Sequence, residues 1–314
     1  MKRYGLALVI TTLAAGGAMA QPSDTVEKIK SSGSITLGVR ESSGALAYSL
    51  GNGKYVGFHT EMANNIIADL KAALNLPALK VKYLPITSES RIPLVVDGTV
   101  DLECGSTTND MNREKQVDFA DTTYLEQVRI AVPANSSING IRDLNGKTVV
   151  TTAGTTEVPL LRDNKEAENI QFKLLLGRDH GDSFQMLESG RADAFVMDGS
   201  ILAGNIAMSK NPQAFKLVGE PLSTEPIACM LRKHDEAFLK IVNRSIERQA
   251  RDGTLAKLWD KWFIQPIPPA NQPVGLALSQ ATKFDWEHPN NKSKEAIWLQ
   301  ILQQDWLRQN GKSN

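Results

Sequence analysis

Hydrophobic and polar positions alternate along the chain with two periods. Short apolar runs such as Ser34–Val39 predict buried strands, and the segment 58–74, with apolar residues three and four positions apart, predicts a helix. The same criteria predict three further elements: a strand at 80–84, a helix at 90–96 and a strand at 100–104. This βαβαβ order is typical of a parallel sheet covered by helices on both faces.

A second copy of this order follows later in the chain. It comprises predicted strands at 148–151, 171–175 and 194–197, and predicted helices at 157–164 and 183–188. A weak repeat accompanies it, because Gly98 and Gly190 each follow an apolar helix end, and an aspartate three positions later leads into a strand. Two lobes of similar architecture are therefore expected.

Two extended segments, 127–132 and 226–231, flank the second copy and are interpreted as crossings between the lobes. The predicted fold is α/β, with two similar lobes, each a sheet flanked by helices, joined by two hinge crossings. The first lobe would comprise 21–128 and 226–270, and the second lobe 129–225. The prolines of 266–269 are expected to end the regular elements, leaving a tail at 271–314 with one helix at 294–307.

The first twenty residues have the order of a signal peptide. Lys2 and Arg3 precede an apolar run, and Ala18-Met19-Ala20 provides a small-x-small cleavage pattern before Gln21. No later segment has the long apolar stretch of a membrane helix. The mature protein is therefore expected to be free and soluble in the periplasm.

Charge and composition narrow the classes of partner and chemistry. The chain has 35 basic and 35 acidic residues, a balance that argues against nucleic-acid binding. Four dispersed histidines suggest no metal site, and no cofactor is predicted. Cys104 and Cys229 are the only cysteines, and either a disulfide or two separate buried thiols is compatible with the sequence.

Common enzyme signatures are missing or incomplete. The chain contains no G-x-S-x-G, H-E-x-x-H or C-x-x-C motif. A glycine-rich segment at 140–148 resembles a phosphate loop, but it has one residue too many and precedes a strand instead of following one. His180, Asp182 and Ser183 are the residue types of a hydrolase triad, yet such close neighbours rarely converge. A non-enzymatic role is predicted.

Ligands of open α/β sheets bind beyond the carboxyl ends of strands. In the first predicted lobe those ends carry cations and hydroxyls. In the second they carry a glycine–threonine turn, a histidine and an aspartate. The segments are 40–43, 85–91 and 105–113 in the first lobe, and 153–156, 179–182 and 198–200 in the second.

These strand ends carry a specific family resemblance. The chain resembles the periplasmic substrate-binding proteins of amino-acid ABC transporters, and most closely the glutamate/aspartate-binding branch, from about residue 24 to residue 269. The most specific matching runs are Glu103-Cys-Gly-Ser-Thr-Thr-Asn109 and Asp179-His-Gly-Asp-Ser-Phe184.

The resemblance implies a role for each of nine side chains. The α-carboxylate of the ligand would be held by Arg113, Ser106, Thr108 and Thr156. The α-ammonium would be held by Asp198, with help from Ser106. The side-chain carboxylate would be held by Arg40, Arg91, Ser88 and His180. Relatives usually place an aromatic residue soon after the first strand, but here none precedes Tyr48, so the preference between glutamate and aspartate is not carried over.

The three arginines and one aspartate nearly balance the charges of a dicarboxylic amino acid. This balance agrees with the ligand that the resemblance implies, L-glutamate or L-aspartate, bound by hinge closure and delivered to a membrane permease by a monomeric protein. Two alternatives stay open. One is a carboxylate-processing, dehydratase-like enzyme on the same fold, using Glu41 or His180, and the other is a sensory domain.

Overall fold

The computed structural model describes residues 24–310 of the chain. The predicted signal peptide therefore lies outside the described residues. Within the described range, every helix is too short or too polar to cross a lipid bilayer.

Eleven strands are formed in the described part of the chain. Eight of them make one mixed sheet in the order β5-β1-β6-β11-β7-β10-β8-β9, and β2, β3 and β4 make a small antiparallel sheet. The strands are β1 (Ser34–Val39), β2 (Ser42–Ser43), β3 (Ala47–Ser49), β4 (Tyr55–Val56), β5 (Lys80–Pro85), β6 (Leu102–Glu103), β7 (Val117–Pro133), β8 (Thr148–Thr152), β9 (Lys173–Gly177), β10 (Ala194–Asp198) and β11 (Phe215–Arg232).

The α-helices alternate with these strands. They are α1 (Thr25–Ser32), α2 (Phe58–Ala73), α3 (Arg91–Val96), α4 (Glu157–Ala167), α5 (His180–Glu188), α6 (Gly199–Met208), α7 (Glu236–Arg251), α8 (Thr254–Trp259), α9 (Gln280–Glu287) and α10 (Lys294–Asn310). A π-helical turn, Asp260–Ile264, continues α8. In α2 the buried residues recur every three or four positions, because one face of the helix packs on the core.

The long strands β7 and β11 connect the two predicted lobes. Their first-lobe ends lie beside β6, with β1 and β5 beyond it, and their second-lobe ends lie beside β10, with β8 and β9 beyond it. The two crossings are thus confirmed as antiparallel strands of 17 and 18 residues that make the sheet continuous. Glu126 pairs with Glu225 and Val128 pairs with Ser223, at the predicted lobe boundaries. Those boundaries stay a prediction.

Parallel pairing brings the strand ends of each lobe to one edge. β1 pairs in parallel with β5 and β6, and β8 pairs in parallel with β9 and β10. The segments that follow these strands therefore converge between the lobes.

Cys104 and Cys229 form a disulfide with a Cα–Cα distance of 4.3 Å. It joins the residue after β6 to β11, beside the loop that carries Ser106. Of the two states that the sequence left open, the paired one is correct.

Several sequence-based bounds need correction. The predicted strand at 100–104 is reduced to Leu102–Glu103, and the predicted helix at 183–188 begins earlier, at His180, where Asp179 accepts from the Asp182 amide. The expectation that regular elements end at 266–269 is wrong, because the tail contains α9 as well as α10. α9 lies against β7: the Trp286 indole donates to the Thr123 carbonyl at 2.6 Å.

Candidate functional site

Arg40 follows β1 and is almost completely buried at the centre of the site. One guanidinium nitrogen donates to the Ser106 hydroxyl at 3.1 Å, and the other donates to the Ser88 hydroxyl at 2.8 Å. Ser88 follows β5 and Ser106 follows β6, so segments after three first-lobe strands come together at the Arg40 guanidinium. Burial lowers the pKa of Arg40 from its usual value, although the nearby Glu103 carboxylate opposes the shift.

Arg91 and Arg113 reach from the first lobe to the same atom of the second. The Arg91 guanidinium donates to the Gly154 carbonyl at 3.5 Å and to the Ser106 carbonyl at 2.9 Å. Arg113 donates to the Gly154 carbonyl at 3.3 Å and to the Thr108 carbonyl at 2.9 Å. The loop after β8 is therefore held against both arginines.

Gly154 permits this approach because it has no side chain. Its φ is +76°, and a Cβ there would lie 2.7 Å from the backbone of Ser88 and Glu89. Any larger residue would need both a left-handed backbone and a wider gap between the lobes.

The buried Arg91 guanidinium interacts with two other guanidinium groups, those of Arg40 and Arg113. Burial and the charges of Arg113 and Arg40 lower the pKa of Arg91 well below its usual value. Arg91 Nε is buried and has no hydrogen-bond partner among residues 24–310. Arginine stays protonated in proteins, so the three guanidinium groups keep their charges and repel one another. An anion that binds among them would relieve this repulsion.

His180 begins α5 and orients Arg40 from the second lobe. Its Nε2 lies 3.1 Å from an Arg40 nitrogen, and its Nδ1 lies 3.0 Å from the Thr152 hydroxyl. A guanidinium can only donate, so Nε2 accepts and Nδ1 carries the proton. Burial and the charges of Arg40 and Arg91 lower the pKa of His180 well below 6.5, which keeps the ring neutral.

A second group of buried side chains, which are acidic, surrounds Asp198. Asp198 ends β10, Glu157 begins α4, and Glu126 and Glu225 lie on the two crossing strands; all four are buried. Burial, followed by the charges of Glu157, Glu126 and Glu225, raises the pKa of Asp198 well above its usual value.

Among these carboxyls, Glu157 has the largest charge effect on Asp198. Burial and the charge of Glu225 raise the pKa of Glu157 to about 7. Both oxygens of Glu157, and Oδ1 of Asp198, are buried without a hydrogen-bond partner in the described residues. A cationic group placed beside them would supply the missing donors.

Glu225, on the crossing strand β11, accepts hydrogen bonds from hydroxyls of both lobes. Its Oε2 accepts from Thr108 and from Thr156, each at 2.7 Å. Its other oxygen accepts from Ser223 at 2.9 Å and pairs with Lys294 at 3.2 Å.

The structure brings the nine predicted site residues together between the lobes. Five pairs among them are in direct contact, and others are joined through Gly154 and Glu225. Sequence reasoning missed Glu157, Glu225, Glu126 and Lys294. Glu157 directly follows the predicted site residue Thr156, and Glu225 directly precedes a predicted crossing, so the sequence places both near the site. Nothing in the sequence places Lys294 there. No group of histidine, cysteine or acidic side chains in residues 24–310 has the arrangement of a metal site.

A two-lobed α/β protein with an anion-attracting site between its lobes has the architecture of a solute-binding protein. The sequence profile of the bacterial extracellular solute-binding proteins, family 3, matches residues 35–265, and the chain belongs to this family.

The curated relatives of this chain are named as transport or ligand-binding proteins. The chain is 41% identical over 298 residues to the glutamate/aspartate import solute-binding protein of Salmonella typhimurium, covering 93% of this chain and 99% of the relative. It is 42% identical over 293 residues to the L-glutamate/L-aspartate-binding protein of Pseudomonas aeruginosa, covering 93% and 97%. The chain is therefore a transport solute-binding protein and not an enzyme, which removes the dehydratase-like alternative.

The fold also matches solved structures. The solute receptor for L-cysteine of Neisseria gonorrhoeae superposes with a TM-score of 0.67 at 28% identity, covering 76% of this chain and 93% of the receptor. The predicted fold class is confirmed.

Proposed function

We propose that this protein captures L-glutamate or L-aspartate in the periplasm and delivers it to the permease of an ABC importer. The observation that carries the proposal is the convergence of Arg40, Arg91 and Arg113, all buried, on one site whose charges include that of Asp198. Such a site matches a ligand with two carboxylates and one ammonium group. The names of the curated relatives agree with this ligand.

The α-amino-acid part of the ligand is assigned to the side of the site that holds Arg113. Arg113 and the neighbouring polar groups of Ser106, Thr108 and Thr156 hold the α-carboxylate, close to the beginning of α4, where free amides favour an anion. Asp198 takes the ammonium, and Glu157 adds a second buried carboxyl beside it.

The side-chain carboxylate is assigned to Arg40, Arg91 and Ser88. His180 supports this subsite through Arg40, since its Nε2 accepts from that guanidinium. Forked guanidinium donors match a carboxylate in a way that lysine does not.

The proposed mechanism is closure about the crossing strands. The ligand docks on the arginines of the first lobe, and the second lobe brings Gly154, His180 and Asp198 against it. With the predicted lobe boundaries at 128/129 and 225/226, the pivot would lie beside the Glu126–Glu225 pair. The closed form is then the one a permease would recognise, and the protein acts as a monomer.

Substitution of Arg91 tests the proposal directly. Arg91→Ala should weaken glutamate and aspartate binding at least about a hundredfold, since it removes one partner of a buried charge pair. Arg142→Ala is the matched control, because Arg142 lies on the surface and pairs only with Glu168. Calorimetric titrations with glutamate, aspartate and the other common amino acids measure both variants and the wild type. Equal loss in the two variants, or no loss in either, contradicts the assignment.

A further inference from the structure

The C-terminal tail is bound along the first-lobe portion of β7 and the loop before it. The Thr122 amide donates to the Asn290 carbonyl at 2.8 Å, and the Lys294 amide donates to the Asn109 carbonyl at 2.9 Å. The Asn109 side chain returns a hydrogen bond to the Asn291 carbonyl at 2.9 Å. These contacts fix the start of α10 beside the crossing strands.

From this position Lys294 reaches into the acidic side of the site. Its Nζ lies 3.2 Å from Glu225 Oε1, and Glu225 is fully buried. The other Glu225 oxygen accepts from Thr108 of the first lobe and Thr156 of the second. A single carboxylate therefore joins the tail to a hydroxyl of each lobe.

We propose that Lys294 is a positioning residue for ligand binding: it keeps Glu225 ionised, so that Glu225 can hold Thr108 and Thr156 in place when the lobes close. The tail then contributes to ligand binding through its contact with a crossing strand. This inference rests on the proposed amino-acid site, to which both threonines belong.

The charges around Glu225 make its ionisation depend on the lysine. The carboxyls of Glu157 on α4 and Asp198 at the end of β10 interact with the charge of Glu225, which raises the pKa of each, and Glu126 pairs with Glu225 across the crossing strands. Burial raises the pKa of Glu225, but Lys294 and the hydroxyls of Thr108, Thr156 and Ser223 lower it below its usual value overall. Without Lys294 the balance shifts toward the protonated carboxyl, which can no longer accept freely from both threonines.

The test compares Lys294→Met with Lys292→Met in the full-length protein. Lys292 lies in the same tail, but its ammonium donates to Gln300 and not to Glu225. We expect Lys294→Met to weaken ligand binding by about tenfold at pH 7, as for loss of a charged hydrogen bond. The loss should grow as the pH falls from 8 to 5.5, because Glu225 then takes up a proton. Lys292→Met should follow the wild type, and Lys294→Arg should restore most of the affinity.

A double substitution separates this role from a purely structural one. On a Glu225→Gln background, Lys294→Met should cost no further affinity. A Lys294→Met variant that matches Lys292→Met at every pH, or that loses affinity equally with and without Glu225, overturns the inference. Titration of the wild type with glutamate and aspartate comes first, so that failure of the proposed ligand is seen separately. The variants are then titrated with whichever common amino acid the wild type binds.

Discussion

At the scale of single residues, arginines and carboxyls share one buried site but differ in how they hold their protons. The arginines cannot release their protons, whereas the carboxyls can adjust theirs. The pKa of Asp198 is raised and that of Glu157 is raised to about 7, so a bound ammonium would displace protons from this pair near neutral pH.

Ligand binding should therefore release protons near pH 7. An ammonium group beside Asp198 and Glu157 favours their ionised forms and lowers their pKa values, so protons leave as the ligand enters. Calorimetry in phosphate and in Tris, which differ in ionisation enthalpy, measures this release. Glu157→Gln should reduce it, and a wild-type binding enthalpy that is the same in both buffers contradicts the prediction.

The raised pKa of Glu157 also predicts how the stability of the protein changes with pH. Glu157 has a folded-state pKa of about 7 against an ordinary value of 4.5. Between these pH values the ligand-free folded protein thus binds more protons than the unfolded chain. The contribution of Glu157 to the free energy of unfolding is therefore full below about 4.5 and is lost as the pH rises through 7. Replacement of Glu157 by Gln should flatten this part of the pH–stability curve measured by thermal unfolding.

The sequence predicted the arginines and hydroxyls because the ends of parallel strands converge, and because the family resemblance supplied their roles. It did not predict that Thr108 and Thr156 both donate to Glu225, or that His180 accepts from Arg40. Those contacts depend on how the crossing strands and the lobes are placed in space, which no local pattern encodes.

At the scale of elements, α6 of the second lobe lies against the turn between β2 and β3 of the first. A Cβ on Gly204 would lie 2.7 Å from the Ala45 amide nitrogen and from the Gly44 Cα. The helix can approach the turn this closely only because both positions are glycine.

Gly204→Ala should weaken ligand binding without weakening the ligand-free fold. Alanine favours the helix by about 1 kcal/mol relative to glycine, but its methyl group would keep the lobes apart. We expect about tenfold lower affinity by calorimetry, with an unchanged or higher thermal midpoint for the ligand-free protein. Gly140→Ala is the control, because a Cβ at Gly140 meets nothing within 4 Å. Equal affinities for the two variants would contradict this account of closure.

The elements of the two βαβαβ copies were predictable because their apolar periods are strong. α9 was not predictable in this way, since Thr282 is the only buried residue in its range. It is held by the half-buried Trp286, which packs against the core, and by polar contacts, including the Thr282 hydroxyl with the Leu125 amide at 3.1 Å. Such contacts leave no hydrophobic pattern in the sequence.

At the scale of the whole molecule, the disulfide closes a long segment of chain that includes the whole second lobe. Cys104 and Cys229 are 125 positions apart, and both lie in the first lobe. The sequence could not decide their pairing, because the decisive quantity is the Cα–Cα distance of 4.3 Å.

Replacing both cysteines by serine should lower the free energy of unfolding by about 2–5 kcal/mol, because the unfolded chain gains freedom. Denaturant titration of the variant measures the loss, and the wild type under reducing conditions should show a similar one. A variant as stable as the oxidised wild type would contradict this role for the bond.

The central claim concerns the whole closed molecule: the buried arginines require a ligand with a second carboxylate. Glutamate and glutamine have nearly the same shape, so their relative affinities isolate that charge. Burying the arginines without a counter-charge costs about 3–5 kcal/mol, and calorimetry on the wild-type protein should find glutamine at least about a hundredfold weaker than the better of glutamate and aspartate. Glutamine binding as tightly as glutamate would contradict the account.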